Sequence, residues 1–529
     1  MTRPSARLMV LGVAAGLLWS VAARAADVNE GSPMAQGARS QDLTIETLRG
    51  LLWAGRTTSS QLVATFEAAI ARSDRTGPSL NAILALNPRA GDQARARDAA
   101  RRPGEPGDIL DGIPILLKDN IDSDDGLATT AGSLALKDNI PGRDAPVVAR
   151  LRAAGAVILG KTNLSEWANF RSTHSISGWS GVGGQTRNAH DPLRNPCGSS
   201  SGSAVAVAAG FAAGAIGTET DGSIVCPSSV NGVVGLKPTV GLVSRTHIVP
   251  ISHSQDTAGP IALTVRDAAI LLTAMAGSDP ADPATREADA RKTDYSARLD
   301  PGALRGARIG VMRFCAGFHP ATDLVFEAAL ARLRAAGAVL VELTESPDRK
   351  AMGAAEQKVL LTEFKADLEA YLASTSPDHV KTRTLADLIA FNRAHASEET
   401  PLFGQELFEQ AEKTGGLSDP DYLAALATSK RLAGPEGIDR LLAQGGVVAL
   451  VAPTLGPAGL IDPVLGDHFV GGNTDGMAAV AGYPHLTVPM GEVSGLPVGL
   501  SFVGPAWSEA TLLNLGYAFE RTAPARRKP

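Results

Sequence analysis

The chain has 529 residues, 44% hydrophobic, 20% charged and 4% aromatic. At roughly 100–200 residues per domain, that length suits two or three domains or one large α/β unit, and the apolar content excludes a disordered chain. The formal net charge is −6 and there is no long basic run, so the electrostatic footprint of a nucleic-acid binder is missing.

In chain order, the first signal is an address. Arg3 and Arg7 precede an apolar run over residues 8–19, and Ala23-Arg24-Ala25 supplies a small-x-small cleavage site. This is the pattern of a secretory signal peptide over residues 1–25. The run is too short to span a bilayer comfortably, and no later stretch reaches 18 apolar residues. No Cys lies near the cleavage site, so a lipoprotein anchor is excluded. The expectation is an exported protein, periplasmic or extracellular, free of the membrane once the signal is removed. Its three cysteines, Cys197, Cys226 and Cys315, are too few for a disulfide framework. Cys197 and Cys226 could pair; they are read here as small buried hydrophobes.

Residues 26–529 alternate helix and strand signals, which argues for a layered α/β architecture. A short apolar run at 113–117 reads as a strand. Val147, Val148, Leu151 and Ala154 share a helical face, Gly155 stops it, and 157–159 follows as a buried strand. The nonapeptide Ala-Arg-Leu-Arg-Ala-Ala-Gly-Ala-Val at 149–157 recurs at 331–339, one helix-Gly-strand solution used twice. Further strands are expected at 309–311, 339–341, 447–451, 486–488 and 500–503. Their unalternating apolar runs imply cover on both faces. Residues 277–305 read as a surface excursion. Residues 352–445 read as largely helical, broken at Gly415-Gly416 and Gly434-Pro435, and their position suggests a cap over the active site.

Two motif matches are rejected. Residues 155–162, ending Gly160-Lys161-Thr162, fit the phosphate-loop pattern, but Ala, Val, Ile and Leu fill the place of the flexible loop. Gly198-Ser199-Ser200-Ser201-Gly202 contains G-x-S-x-G centred on Ser200, but Pro196 argues against the strand that a nucleophile elbow needs. The nine His show no ligand spacing, so no metal is expected. His247 and His253, near Asp256, read as surface or supporting residues.

A longer constellation remains. Residues 195–244 hold a Gly/Ser cluster, an Ala-rich apolar helix candidate and a second Gly-bracketed serine at Gly222-Ser223. Upstream, Lys118 ends an apolar run in DGIPILLKDNID. With GLKPTVG at 235–241 and GLPVGLSFVG at 495–504, these segments resemble the amidase signature family over nearly the whole mature chain. EWANFRS at 166–172, SISGWS at 175–180 and GTETDGSIVCP at 217–227 resemble its peptide amidase branch.

The resemblance implies a large mixed central β-sheet covered by helices on both faces, formed by a single domain over 26–529 with its signature core at about 110–260. It also implies a Ser-Ser-Lys triad without cofactor. Ser223 is the expected nucleophile, Ser199 the bridging serine behind a cis Gly198–Ser199 peptide, and Lys118 the base. The family's spacing selects Ser199 over Ser200 and Ser201. Backbone N–H groups of Thr220, Asp221, Gly222 and Ser223 are the expected oxyanion hole. The residue types suit the chemistry: a serine hydroxyl needs a base, and a lysine becomes one only when burial lowers its pKa.

The commoner signature reads GTDTGGSIR, so Glu219, Asp221 and Val225 are departures, expected here to shape the acyl pocket. The implied activity is hydrolysis of the C-terminal carboxamide of a peptide to acid and ammonia. Competing readings are a general amidase for small aliphatic or aromatic amides, a component of a tRNA amidotransferase, and a non-catalytic binding protein.

Overall fold

The computed structural model describes residues 43–523, apart from 103, 106 and 473. The expected signal peptide therefore lies outside the described residues. Among those described, no helix is long and apolar enough to cross a membrane.

The described residues form thirteen strands: β1 Ile83–Leu86, β2 Pro114–Lys118, β3 Val157–Thr162, β4 Trp179–Ser180, β5 Gly184–Gln185, β6 Gly214–Glu219, β7 Val234–Lys237, β8 Thr257–Ala262, β9 Arg308–Met312, β10 Val339–Leu343, β11 Ala449–Pro453, β12 His485–Val493 and β13 Leu496–Val503. β4 and β5 form a small ribbon. The other eleven make one sheet in the order β1-β3-β2-β6-β8-β7-β12-β13-β11-β9-β10. It is mixed: β2 runs parallel to β3 and β6, β9 parallel to β10 and β11, and the remaining pairs are antiparallel. Every residue of β2, β3, β6, β8 and β13 is buried. Successive side chains point to opposite faces, so both faces are covered.

All seven strands expected from apolar runs are present, but β3, β12 and β13 run three to five residues beyond the expected bounds. The repeated nonapeptide does the same job twice. It ends the helices Pro146–Ala153 and Pro320–Ala335, turns at Gly155 (φ +96°) and Gly337 (φ +95°), and enters β3 and β10. The expected runs leave out β1 (ILAL), the two-residue β4 and β5, and β6 (GAIGTE), β7 (VGLK) and β8 (TAGPIA), the last three being rich in Gly and short side chains. Backbone proximity demands them: a Cβ at Gly259 of β8 would lie 2.1 Å from the Leu236 carbonyl oxygen.

The same constraint explains the Ala-rich signature helix Ser201–Ala208, whose residues are all buried. At Gly202 a Cβ would approach the carbonyl oxygens of Ala82 and Asn163 to 2.3 and 2.5 Å. Small side chains let this helix press onto strand backbones. Residues 349–445 hold the helices Arg349–Ala373, Leu385–Ala394, Glu406–Ala411 and Pro420–Ala433. Gly434-Pro435 opens a π-helical turn before Arg440–Gly445.

Candidate active site

β2 and β6 are parallel neighbours with Leu117 opposite Ile216, so Lys118, the last residue of β2, comes beside Thr218 near the carboxyl end of β6. Ligand sites in such sheets lie beyond the carboxyl ends of parallel strands. Nζ of Lys118 donates to Ser199 Oγ at 2.7 Å, to Thr218 Oγ1 at 2.8 Å and to the Thr218 carbonyl at 3.2 Å. Asn120 Nδ2 also donates to Thr218 Oγ1, at 3.0 Å. Lys118 is wholly buried. Burial brings its ammonium down to about 7, against the opposing pull of Asp256 and then Glu219. As a neutral amine it has two N–H bonds for the Thr218 oxygens and one lone pair for the Ser199 hydroxyl.

The serine cluster divides its labour. Ser199, behind a cis Gly198–Ser199 peptide, faces Lys118. Ser200 Oγ donates to the Thr218 carbonyl at 3.0 Å and accepts the Thr218 N–H at 3.2 Å, so it is consumed by the β6 backbone. Ser201 Oγ donates to the Cys197 carbonyl, four residues back, at 2.6 Å. This orders the run: Ser199 Oγ meets the lysine, while the Ser200 and Ser201 hydroxyls are engaged by backbone.

Ser223 sits on the turn between β6 and the helix Val225–Val230. Its Oγ makes no hydrogen bond to the described residues and faces the cavity. Nor do the N–H groups of Asp221, Gly222 and Ser223 donate to any acceptor among the described residues. Gly222 takes φ +77°, and a Cβ there would lie 2.3 Å from Asp475 Oδ2. Glu219 fixes the turn from beneath: its Oε2 accepts the N–H groups of Ile224 at 2.7 Å and Val225 at 3.0 Å. Thr220 Oγ1 donates to Asp256 at 2.5 Å. The two serine segments are joined directly. The Ser200 N–H donates to the Ser223 carbonyl at 3.1 Å, and Cys197 and Cys226 form a disulfide. Reading these cysteines as unpaired hydrophobes is thereby corrected: separated by 29 positions in sequence, their Cα atoms come within 5.9 Å.

The amidase family model matches residues 64–513. The chain belongs to the amidase family. It is 54% identical to the native peptide amidase of Stenotrophomonas maltophilia, covering 94% of this chain and 99% of that one with a TM-score of 0.87. It is 55% identical to a peptide amidase solved with the competitive inhibitor chymostatin, covering 92% and 98% of the two chains with a TM-score of 0.88. A relative with another role is a glutamyl-tRNA(Gln) amidotransferase subunit from Chloroflexus aurantiacus, 36% identical over 90% of this chain and 96% of its own.

In this amidase the serine turn opens into a cavity of about 890 Å³. One wall is the segment after Glu166. Trp167, Ala168 and Asn169 all adopt the left-handed region, at φ +48°, +52° and +71°, a costly run for non-glycine residues. Buried contacts hold it: Glu166 pairs with Arg171 at 2.8 Å and accepts the Gly181 N–H at 2.7 Å, while Trp167 packs edge-on against Phe408. The turn delivers Ala168, Asn169 and Phe170 to the cavity. The helix Arg349–Ala373 contributes Met352, Glu356 and Leu360 to the facing wall.

Of the three departures from the commoner signature, only Asp221 lines the cavity. Glu219 and Val225 are turned away from it, so the expectation that all three shape the acyl pocket is corrected: Glu219 supports the serine turn instead. Asp221 meets Glu356 and Asp475. Burial, then these two acids and Glu219, push its carboxyl well above the usual range, and burial takes Glu356 up to about 7. Raised pKa values move this wall towards neutrality, which weakens its repulsion of an oxyanion formed beside it.

The rejected motifs stay outside the site. The phosphate-loop match lies on β3, where Lys161 is buried and donates to the Ile121 carbonyl and Thr129 Oγ1. His253 Nδ1 lies 2.9 Å from Asp367 and its Nε2 3.4 Å from Glu363. The Glu363 carboxylate is already engaged by Ser252, Ser254 and Tyr422. Sequence reasoning missed Thr218, Asn120 and Asp256. The first two stand inside quoted motifs, one residue from Glu219 and two from Lys118, and the 2.0-residue period of β6 could have set Thr218 beside the lysine.

Proposed function

We propose that this amidase hydrolyses the C-terminal carboxamide of peptides to free acid and ammonia, with Ser223 as nucleophile, Ser199 as proton relay and Lys118 as base. The observation that carries the reading is the Lys118–Ser199 contact of 2.7 Å behind an unengaged Ser223 hydroxyl. Neutral Lys118 takes the Ser199 proton as Ser199 takes that of Ser223, and Ser223 Oγ attacks the carboxamide carbon. The oxyanion sits against the backbone N–H groups of residues 220–223. Reversal of the relay protonates the departing nitrogen, ammonia leaves, and water releases the acid from the acyl-enzyme.

Peptide amides are favoured over small amides by the likeness to peptide amidases and by the cavity, far roomier than a bare carboxamide requires. Contacts to the upstream peptide can then be used at the reacting centre. We also propose export, supported by the basic, apolar and small-residue pattern of residues 1–25. A disulfide suits an oxidising compartment. The same address and the acidic balance weigh against a tRNA-dependent role.

The test is ammonia release from an N-blocked dipeptide amide, acetamide and benzamide, with mass analysis for cleaved internal bonds. Higher kcat/KM on the dipeptide amide and intact internal bonds are expected. Equal or better kcat/KM on the simple amides would assign the protein to general amide hydrolysis.

A further inference from the structure

The segment between β11 and the helix Asp475–Ala481 borders the same cavity, and polar contacts anchor it. Asp467 accepts the Ser177 N–H at 3.0 Å and Asn195 Nδ2 at 2.6 Å. Asp462 Oδ1 accepts the N–H groups of Val464 and Leu465, both at 2.9 Å, and Leu460 bridges to Arg194. Anchoring by main chain and carboxylates leaves the apolar side chains without cover. Leu465 and Phe469, two residues to either side of Asp467, line the cavity that holds Ser223, yet remain 68% and 50% exposed. With Val464 and Val470, also exposed, they form a group of large apolar side chains in water, and such a group beside a site marks a binding surface. The cavity inside them continues apolar through Leu455, Phe170 and Leu360.

We infer that Leu465 and Phe469 form a subsite for an apolar side chain of the peptide upstream of the amidated residue, so that the enzyme selects peptide amides by hydrophobicity at that position. The inference rests on the peptide-amide reading above. Its occupant follows from continuity: a peptide whose carboxamide reaches Ser223 lays its upstream residues along the same cavity, whose lining includes these two exposed apolar side chains. Covering a Leu-sized side chain supports selectivity of about 10- to 100-fold.

The experiment compares kcat/KM for N-acetyl-Leu-Ala amide, N-acetyl-Gly-Ala amide and N-acetyl-Ala amide, with tripeptide amides that move Leu one place further upstream. It uses the parent, the Leu465→Ser/Phe469→Ser double variant and Val464→Ser, which alters the same exposed segment without lining the cavity. The parent is expected to prefer Leu over Gly by about 10- to 100-fold at one of the two positions. The double variant should bring that ratio close to one, and Val464→Ser should keep it. An equal fall on all substrates, or an unchanged ratio, overturns the inference while leaving peptide-amide hydrolysis standing. So does light scattering that shows a parent dimer dissociated by the double variant with the ratio intact, because the surface then joins two copies. Turnover of acetamide and benzamide with none of any peptide amide removes the peptide reading, and this inference with it.

Discussion

Nζ of Lys118 and Oγ of Ser199 lie 2.7 Å apart, and neither side chain is exposed to solvent. An ammonium there would be a buried charge with no carboxylate in direct contact, which is why burial carries its pKa down to about 7. Lysine is the base only when neutral, so activity must be lost on the acid side.

kcat/KM is therefore expected to rise with pH, near tenfold per unit, and to level off above about 7. Asp256 holds the Lys118 pKa up, so Asp256→Asn should move the midpoint of that limb to lower pH. A pH profile of both proteins on one peptide amide checks this. A midpoint that stays put or rises in the variant contradicts the electrostatic link.

Lys118→Met preserves an unbranched apolar stem in the buried site and removes the amine. The expected fall in kcat/KM is about 10²–10⁴-fold, the range of general base catalysis. The acid limb near pH 7 should vanish with it. Steady-state rates across pH decide the matter, since a merely misfolded protein would lose amplitude and keep the limb.

Ser199→Ala and Ser200→Ala should part company. The Ser199 hydroxyl meets the lysine, so its loss should cut turnover by orders of magnitude. The Ser200 hydroxyl serves the β6 backbone, so Ser200→Ala should keep activity within a few-fold and cost about 1 kcal/mol of stability. Parallel kinetics and denaturant unfolding of the two variants give the comparison.

Glu219→Ala strips two N–H groups, those of Ile224 and Val225, of their buried acceptor beneath the serine turn. A stability loss of about 1–3 kcal/mol is expected, with kcat lowered more than KM is raised. Glu219→Gln, which retains one oxygen, should recover part of both. Urea unfolding and steady-state kinetics provide the readouts.

The sequence and the structure diverge where side-chain size stops reporting secondary structure. Apolar runs found strands such as β3 and β13 because those strands fill both faces with Val, Ile and Leu. They could not find β6 or β8, where Gly217 and Gly259 leave room for Ser200 and the Leu236 carbonyl. The resemblance to the amidase signature family set Ser199 beside Lys118; the contact spans 81 residues of sequence, so neither periodicity nor local spacing could carry it. Glu219 was misread, since a motif lists neighbours in sequence and cannot say which side of a turn a carboxylate takes. The pairing of Cys197 with Cys226 was equally hidden: it depends on the two serine segments crossing in space. The walls built by 166–172, 349–360 and 455–472 come from three distant parts of the chain, and only the fold unites them.

The most direct measurement is of the covalent intermediate. The parent and Ser223→Ala are mixed with an N-blocked dipeptide amide, quenched in acid during turnover, and weighed intact, with the adduct located by peptide mapping. The account predicts a mass increase equal to the peptide amide less ammonia, carried on Ser223, and its absence together with turnover in Ser223→Ala. An adduct on Ser200, or continued ammonia release by Ser223→Ala at a rate near the parent's, would contradict it.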